Sequence, residues 1–402
     1  MNRVAALFLL LLISVTWPLW FGTDNFPTVP LLSSLRHVAP AADRAVAVIF
    51  FAAVVTIVVK PETDRSKAAF GSNVAAIVSG IVLCVLNQHR LQPWNVLFLL
   101  MATIHVVIKP PHRIRVCRVT VAMIYICAAL SRFGPRIDEG VSRQILDLGL
   151  NAIGLARLNQ SPLLIRWTCA GMSVIELIAG LLLLTNRFRI FGVVLAMAIH
   201  ATLLLSLSPL GLNHNTGVLL WNAFFLTLLP MLRERDSRPE TEAVRSAPAM
   251  PMLARIALVI VVVFPLSGLF GIADNWPSWQ LYSPRPEVLR IFVRSDAIGE
   301  LPDFVKTFVG DPAPLDMWCP VRIDRWSLEA TGAPIYPEDR FQLGVAQWLA
   351  RHLKDPGSIR AELDAPERPL WWKRQHVTYA DSAQVQQAAQ QFVLNARPAK
   401  VP

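Results

Sequence analysis

Apolar runs long enough to cross a membrane recur along the first two thirds of this 402-residue chain, and they constrain its fold more than any other feature. A helix needs about 17–25 predominantly apolar residues to cross a hydrocarbon core of roughly 30 Å. Only 16% of the residues are charged and the mean hydropathy is +0.45, which is typical of an integral membrane protein. We therefore predict an α-helical polytopic membrane protein with about nine transmembrane helices. The nine runs cover residues 4–21, 41–59, 68–86, 94–108, 116–133, 163–184, 188–208, 216–232 and 252–273.

The distribution of basic residues predicts the orientation of these spans. Loops on the inner side of a bacterial-type membrane carry an excess of Lys and Arg. If the N-terminus is inside, fourteen basic residues fall in mostly short inner loops and eight fall in the outer loops. The first run continues into Trp17 and Trp20 without a small-residue cleavage site, so we expect it to be retained as a span. The chain is thus predicted to lie in the bacterial inner (plasma) membrane with its C-terminal domain extracytoplasmic.

Residues 141–158 have helical apolar spacing but also contain Arg143, Asp147 and Arg157. Counting this stretch as a span would move every later basic loop to the outer side, against the charge distribution. We therefore predict an amphipathic helix on the outer surface of the membrane. A re-entrant helix is the alternative that the sequence leaves open.

A change in composition near residue 273 predicts two domains. The transmembrane helical domain covers residues 1–273 and carries a net charge of +11, whereas residues 274–402 carry −1 and seven of the twelve tryptophans. Residues 233–251, charged and rich in Pro and Ala, are predicted to be a flexible inner loop. We predict that the tail is a small, Trp-rich α+β domain. Its predicted strands are 288–294, 325–329 and 375–379, and its predicted helices are 338–352 and 382–394, the latter capped by Asp381.

The excess positive charge lies in the membrane domain, where it suits the anionic inner leaflet of a lipid bilayer. No basic tract interleaved with aromatic residues is present, so nucleic acid is not an expected partner. The five cysteines show neither a CxxC pair nor metal-ligand spacing, and no metal site is predicted. Disulfide exchange by this chain alone is not expected either, because the tail carries only Cys319.

Two ionisable residues fall deep within predicted spans. Glu176 lies in the sixth run and His200 lies in the seventh. If a tight turn joins the two antiparallel helices, residue 176 lies opposite about residue 197, so a Glu176–His200 hydrogen bond is within reach at about 1.5 Å rise per residue. Ionisable groups inside a membrane are costly and are therefore candidates for function, here as a proton-handling catalytic pair. The alternative is an interhelical clasp that only satisfies two buried polar groups.

A second group of polar residues is predicted to converge on the outer side of the membrane. Its two histidines are candidate catalytic residues for acid–base work, because an unperturbed imidazole titrates near neutral pH. Its arginines and asparagines are candidate ligand-binding residues for a polar or anionic head group, whereas two histidines are too few for a zinc site. The alternative is that these outer turns are simply polar, with Trp94, Trp221, Trp276 and Trp279 as interfacial anchors. The group consists of His89 and Arg90 after the third run, Arg132 at the end of the fifth, and Asn213, His214 and Asn215 in the stretch SPLGLNHNTGVLLWN after the seventh.

Two stretches carry a resemblance to a known family. They are YICAALSRF, which begins at Tyr125 after a basic inner loop, and WPSWQLYSPRP, which begins at Trp276 and opens the tail. On these stretches and on the order of its spans, the chain over most of residues 60–290 resembles the HTTM domain membrane proteins, relatives of the vitamin K-dependent gamma-carboxylase. It also resembles the smaller membrane proteins of the DoxX and MauE type. The resemblance implies a helical membrane domain with a quinone-type, lipid-soluble cofactor.

One residue departs from this family pattern. Where the resemblance leads us to expect a lysine after the Tyr125 stretch, the chain has Arg132. A buried lysine can lose its proton and act as a base, but a guanidinium stays charged. Carboxylase chemistry is therefore not expected, and Arg132 would suit a carboxylate or a phosphate.

These observations favour a membrane protein with an outward-facing polar cavity that binds, or acts on, a lipid-soluble (quinone-type) or amphipathic ligand. The rim would contain His89, Arg90, Arg132, His214 and Asn215, and Glu176 with His200 would lie deeper. The alternative is a non-catalytic membrane anchor or assembly partner that presents the tail to an extracytoplasmic protein. Transport is a third possibility, but no pair of broken spans marks two matching halves of the chain.

Overall fold

The computed structural model describes residues 1–60, 67–134, 136–155, 157–158, 161–233, 250–367 and 373–399. The chain is mostly helical, with a small sheet in its C-terminal part. Most of the loop predicted at 233–251 lies outside the described residues.

Helices form at all nine predicted apolar runs, and the first run is divided into two helices at Thr16. Side chains cap several of them: Ser161 accepts a hydrogen bond from the Leu164 amide, and Asn215 accepts one from the Gly217 amide. The helices are α1 (Asn2–Val15), α2 (Trp17–Phe21), α3 (Pro40–Val59), α4 (Lys67–Leu86), α5 (Pro93–Val107), α6 (Pro110–Arg132), α7 (Val141–Ala152), α8 (Pro162–Leu184), α9 (Arg189–Leu207), α10 (Thr216–Met231) and α11 (Met252–Leu269).

Six of these helices, α3, α4, α6, α8, α9 and α11, are long and apolar enough to cross a membrane within the described residues. Three further apolar helices, α1, α5 and α10, have 14 to 16 residues. The chain is therefore a multi-pass helical membrane protein by length and composition. The count of nine spans and the predicted orientation stay predictions.

Helix α6 lies at the centre of its bundle. Its apolar window is 78% buried, compared with 28–33% for the other five long helices. Gly180 of α8 lets the two backbones approach closely, because a Cβ at this position would lie 2.8 Å from Ile126 Cγ1 and 3.0 Å from the Ala122 carbonyl oxygen. Small residues serve this purpose in packed membrane helices. This close approach brings polar side chains of α6 and α8 within reach of each other.

Helix α7 is amphipathic, as predicted, but it is shorter than the predicted 141–158. It ends at Ala152, and Gly154 follows with a left-handed φ of +74° that favours glycine. Its Leu146 is buried together with Ile165 and Cys169 of α8. Whether this segment lies on a membrane surface stays a prediction.

The tail contains a four-stranded antiparallel sheet with the strand order β2-β1-β3-β4. The strands are β1 (Val288–Arg294), β2 (Trp318–Val321), β3 (Ile359–Pro366) and β4 (Arg374–Tyr379). In the central pair, Val293 lies opposite Ile359 and Leu289 lies opposite Leu363. These side chains are buried on one face, as the two-residue period of a strand requires. The helices of the tail are α12 (Asp303–Lys306), α13 (Ile323–Thr331), α14 (Asp339–Ala350) and α15 (Ser382–Ala388).

Several tail predictions are confirmed and one is wrong. Strands β1 and β4 and helix α14 form where predicted, and Asp381 caps α15 through the Gln384 amide, 2.8 Å away, although α15 ends six residues early. The strand predicted at 325–329 is wrong, because these residues belong to α13. Its buried residues Ile323, Trp326 and Ser327 have the three-to-four-residue spacing of a helix face. Strands β2 and β3 were not predicted from the sequence.

The described chain divides into two compact units that interleave along the sequence. The first unit contains residues 1–12, 54–74 and 97–285, and the second contains residues 13–53, 75–96 and 286–402. Within the second unit, Trp326 Nε1 donates to the Asn25 carbonyl at 2.6 Å and Arg340 Nε donates to Gln88 Oε1 at 2.8 Å. The predicted boundary after residue 273 rests on a change in composition. The two units are instead defined by which residues lie close together in space, so the two divisions describe different properties of the chain.

Candidate functional site

Three helices of the first unit each contribute one side chain to a buried hydrogen-bonded chain. Tyr125 lies on α6, His200 on α9 and Asn222 on α10. The Tyr125 hydroxyl lies 2.7 Å from His200 Nε2, and His200 Nδ1 lies 2.8 Å from Asn222 Oδ1. All three side chains are buried, so each satisfies the polar atoms of the next.

The hydrogen bonds of Asn222 indicate which atoms of this chain donate. Asn222 Nδ2 donates to the Val218 carbonyl at 2.8 Å, so its Oδ1 faces His200 as an acceptor. His200 Nδ1 therefore carries a proton, and its Nε2 can accept the hydroxyl proton of Tyr125. The His200 ring also stacks on Phe225, with centroids 4.6 Å apart and planes 5° apart. The imidazole is thus fixed in position and can be neutral with both nitrogens satisfied.

Arg132 of α6 and Glu176 of α8 form an ion pair in the same unit. Arg132 Nη1 contacts Glu176 Oε2, and Nη2 donates to Glu176 Oε1 at 3.5 Å and to the Leu281 carbonyl at 3.3 Å. Both side chains are only 13% exposed. Arg132 Nε is buried and has no hydrogen-bond partner among the described residues. One charged donor of the pair is therefore unsatisfied.

Tyr282 connects the ion pair with the hydrogen-bonded chain. Its hydroxyl interacts with the Asn222 side chain and, electrostatically, with both Arg132 and Glu176. Burial raises the pKa of Tyr282 to about 12, so the hydroxyl stays protonated at neutral pH. The segment 276–286, which contains Tyr282, is held against α6, because Ser283 Oγ donates to the Ser131 carbonyl at 2.8 Å.

The backbone of this segment is also unusual. Trp279 and Tyr282 have φ values of +62° and +54°, in the left-handed region that large side chains rarely adopt. Strained residues of this kind are frequent at functional sites, because surrounding contacts must hold them there. The segment that carried part of the family resemblance thus packs against the polar residues of α6 and α10.

The site has the ingredients for binding a polar group and for moving a proton. It combines one cation and one anion with four neutral groups, two of them hydroxyls. A neutral imidazole linked to a hydroxyl can accept or return a proton. An unsatisfied guanidinium donor can hold an oxygen atom.

The predicted direct hydrogen bond between Glu176 and His200 is wrong. A short connection does place the two residues at similar heights, because α8 ends at Leu184 and α9 begins at Arg189. Axial position does not fix the direction in which a side chain leaves its helix, and each residue meets α6 instead. Glu176 pairs with Arg132, whereas His200 bonds to Tyr125 and Asn222.

Three residues of the site were not selected as candidates from the sequence. Tyr125 and Tyr282 lie within the two stretches that carry the family resemblance. The resemblance therefore pointed to these stretches, but it assigned no function to either tyrosine. Asn222 ends the stretch SPLGLNHNTGVLLWN and is the one polar amide within the apolar run 216–232. A buried amide in such a run requires a partner, and this was the available signal.

Asn213, His214 and Asn215 belong to the connection between α9 and α10. The amides of Asn213 and His214 donate to the carbonyls of Ser208 and Leu207 at 3.0 and 2.8 Å, and Asn213 has a φ of +49°. Asn215 caps α10. The backbone therefore forms a hydrogen-bonded turn, in which His214 is half-buried. The catalytic or binding roles predicted for these residues stay predictions.

His89 and Arg90 belong to the second unit, where both side chains are buried. His89 Nε2 lies 3.0 Å from the Pro334 carbonyl and 3.3 Å from Ser327 Oγ, and its Nδ1 has no partner among the described residues. The guanidinium of Arg90 donates to Asp43 and to the carbonyls of Leu19, Trp20 and Leu83. Protein acceptors therefore already surround the donors of Arg90. Its predicted ligand-binding role stays a prediction.

Acidification is expected to destabilise the protein through His89. Burial, with a smaller effect from Arg90, lowers the pKa of His89 from 6.5 to about 4. The unfolded chain therefore binds a proton in this range that the folded chain does not bind. The stability that the neutral ring confers is present above about pH 6.5 and is lost as the pH falls toward 4, at about 1.4 kcal/mol per unit of pKa difference. Thermal unfolding midpoints in detergent should fall across this range, and less steeply in His89→Gln.

His37 provides a matched control, because it lies in the same unit but is exposed. His37→Gln removes a histidine without disturbing a buried group, so its midpoints should follow those of the wild type. Equal slopes for the wild type and His89→Gln would contradict the prediction.

No group of three or more His, Cys, Asp or Glu side chains that could hold a metal ion is found among the described residues. All five cysteines are free and buried. The candidate site consists of Tyr125, Arg132, Glu176, His200, Asn222 and Tyr282.

Comparisons with family models, with curated proteins and with solved structures find no match to the chain. The HTTM and DoxX/MauE resemblance and the quinone-type cofactor that it implies stay expectations.

Proposed function

We propose that this multi-pass membrane protein binds a lipid-soluble or amphipathic ligand through an oxygen atom that accepts a hydrogen bond from Arg132 Nε. One observation carries the proposal, namely that this charged donor is buried without an acceptor among the described residues. Leaving a buried donor unsatisfied costs about 1–3 kcal/mol, and more for a charged group. A ligand oxygen would remove this penalty.

Buried apolar side chains in the same unit as Arg132 favour a ligand that is mostly apolar. Cys127 and Ala128 of α6 are buried, and Phe225 of α10 stacks on the His200 ring. Sites for small molecules usually combine such apolar walls with a few fixed polar groups. A quinone-type molecule would satisfy these conditions, as would another amphipathic molecule with an oxygen at its polar end.

Acid–base work on the ligand is a further part of the proposal. The Tyr125–His200 hydrogen bond supplies a fixed hydroxyl and a neutral base within the same unit as Arg132. The predicted orientation in the inner membrane, with an extracytoplasmic tail, would make the site accessible from the outer side. The asymmetry of basic residues supports this orientation.

The proposal is tested by replacing Arg132 with Lys. Lysine keeps the positive charge beside Glu176 but has no Nε donor, so the ion pair is retained while the proposed ligand contact is removed. Protein extracted in mild detergent would be analysed by native mass spectrometry for a bound quinone or lipid. We expect retention by the wild type and a loss of at least about 10-fold in Arg132→Lys, equivalent to about 1.4 kcal/mol.

Arg143→Lys is the matched control. Arg143 pairs with Asp147 four residues away on α7, so the same substitution there should leave the bound molecule in place. Equal retention in Arg132→Lys and the wild type, or no retained molecule in the wild type, would contradict the proposal. Either result would favour the alternative of a membrane anchor whose polar residues only join helices.

A further inference from the structure

We infer that the ligand oxygen at Arg132 is that of a neutral carbonyl group, such as a ketone, ester or amide, and not that of a carboxylate or phosphate. This inference rests on the proposed function and specifies its ligand class. From the sequence alone, Arg132 is expected to bind a carboxylate or a phosphate. The pairing of Arg132 with Glu176 changes this expectation.

The free donor of the guanidinium fits a single acceptor atom. Arginine binds carboxylates and phosphates best through two parallel N–H groups. Nη1 and Nη2 both face Glu176, and Nη2 also donates to the Leu281 carbonyl. Nε therefore remains as a single donor without a neighbouring donor to complete a second fork. A single N–H group fits one carbonyl oxygen.

The charges of the site also favour a neutral ligand. The positive charge of Arg132 is already matched by the carboxylate of Glu176, and both side chains are largely shielded from water. A second anion at Nε would be attracted by Arg132 but repelled by Glu176 at similar range. The second anion would also lose its hydration, and no additional positive charge would offset this desolvation cost. A neutral carbonyl avoids both penalties.

Tyr282, which interacts with the ion pair, and the hydrogen-bonded chain of His200 add no positive charge that would change this balance. Tyr282 interacts with both partners of the ion pair and keeps its proton at neutral pH. His200 hydrogen-bonds Tyr125 and Asn222 in an arrangement that a neutral ring satisfies, and it stacks on the apolar ring of Phe225. The six residues of the candidate site thus sum to no net charge.

The test compares two probes with the same alkyl chain, methyl palmitate and palmitate. Wild-type protein in lipid nanodiscs would be equilibrated with each probe at about pH 9, where the carboxylate is ionised, and bound probe would be quantified by native mass spectrometry. We expect the ester to be retained at least about 10-fold more than the carboxylate. Glu176→Gln keeps a polar side chain beside Arg132 but removes the negative charge, so it should increase the retention of palmitate about 10-fold.

The possible outcomes separate this inference from the proposed function. Equal or stronger retention of palmitate by the wild type would overturn the neutral-ligand inference while leaving binding at Arg132 intact. A Glu176→Gln protein that folds but retains palmitate no better would overturn it as well. If the wild type retains neither probe, or if Arg132→Lys retains the ester fully, the proposed function itself fails. The wild-type comparison stands even if Glu176→Gln does not fold.

Discussion

Replacing Arg90 by Met is expected to destabilise the protein by about 3–5 kcal/mol, the range measured when one partner of a buried ion pair is removed. Arg90 is 2% exposed and its Nη1 and Nη2 lie 2.5 and 2.7 Å from the Asp43 carboxylate. Its Nε and Nη2 also donate to the carbonyls of Leu19 and Trp20 at 2.9 and 3.0 Å. Methionine fills a similar volume but leaves a carboxylate and several carbonyls without donors. The loss should be measurable as a large fall in the thermal unfolding midpoint in detergent.

Arg322 in the same unit serves as the control. It pairs with Asp324 at 3.0 Å, but its side chain is 48% exposed, and exposed ion pairs contribute little to stability. Arg322→Met should therefore leave the midpoint close to that of the wild type. If Arg90→Met behaved in the same way, the structural role of Arg90 would be contradicted, and the ligand-binding role predicted from the sequence would gain support.

The helices could be predicted from the sequence because the membrane makes a strong demand on it. Every backbone polar group in a hydrocarbon core must be satisfied within its own segment, so each apolar run of sufficient length forms a helix. The ends of these helices also agree with local signals, such as Ser161 before Pro162 and Asn215 before Thr216. Both signals depend only on neighbouring residues, which a sequence displays directly.

The sheet of the tail was predicted less well, because its central strand depends on partners far along the chain. Strand β3 has the sequence IRAELDAP, in which Arg360, Glu362 and Asp364 obscure the apolar alternation. The positions of these charged residues are explained by their contacts with neighbouring strands. Arg360, for example, lies 4.9 Å from the ring centroids of both Phe292 on β1 and Trp318 on β2. Propensities of single residues do not contain such pairings.

The candidate site shows the same division between local and long-range information. Glu176 and His200 could be selected because an ionisable residue within an apolar run is conspicuous. Their true partners could not be selected, since Tyr125, Arg132 and Asn222 lie 22 to 75 residues away and are brought in by the packing of α6 against its neighbours. The orientation of each side chain around its helix axis decided the pairs, and the sequence does not specify it.

The second large effect is expected at Glu176. Glu176→Ala should destabilise the protein by about 3–5 kcal/mol, because it leaves the guanidinium of Arg132 without its counter-charge among buried residues. A double variant, Glu176→Met with Arg132→Met, should recover most of this loss, since apolar residues of similar volume often replace a buried ion pair at little cost. The thermal midpoints of the wild type, the single variant and the double variant measure both effects.

The double variant also separates the two explanations of this polar cluster. If Arg132 and Glu176 only join α6 to α8, a folded double variant loses nothing that the protein needs, and any molecule bound by the wild type stays bound. If Arg132 Nε holds the ligand, the same protein should be stable but should retain at least about 10-fold less of the bound molecule. A stable double variant with full retention would therefore reject the site and leave the interhelical clasp, because the only feature that distinguishes the two is the unsatisfied donor of Arg132.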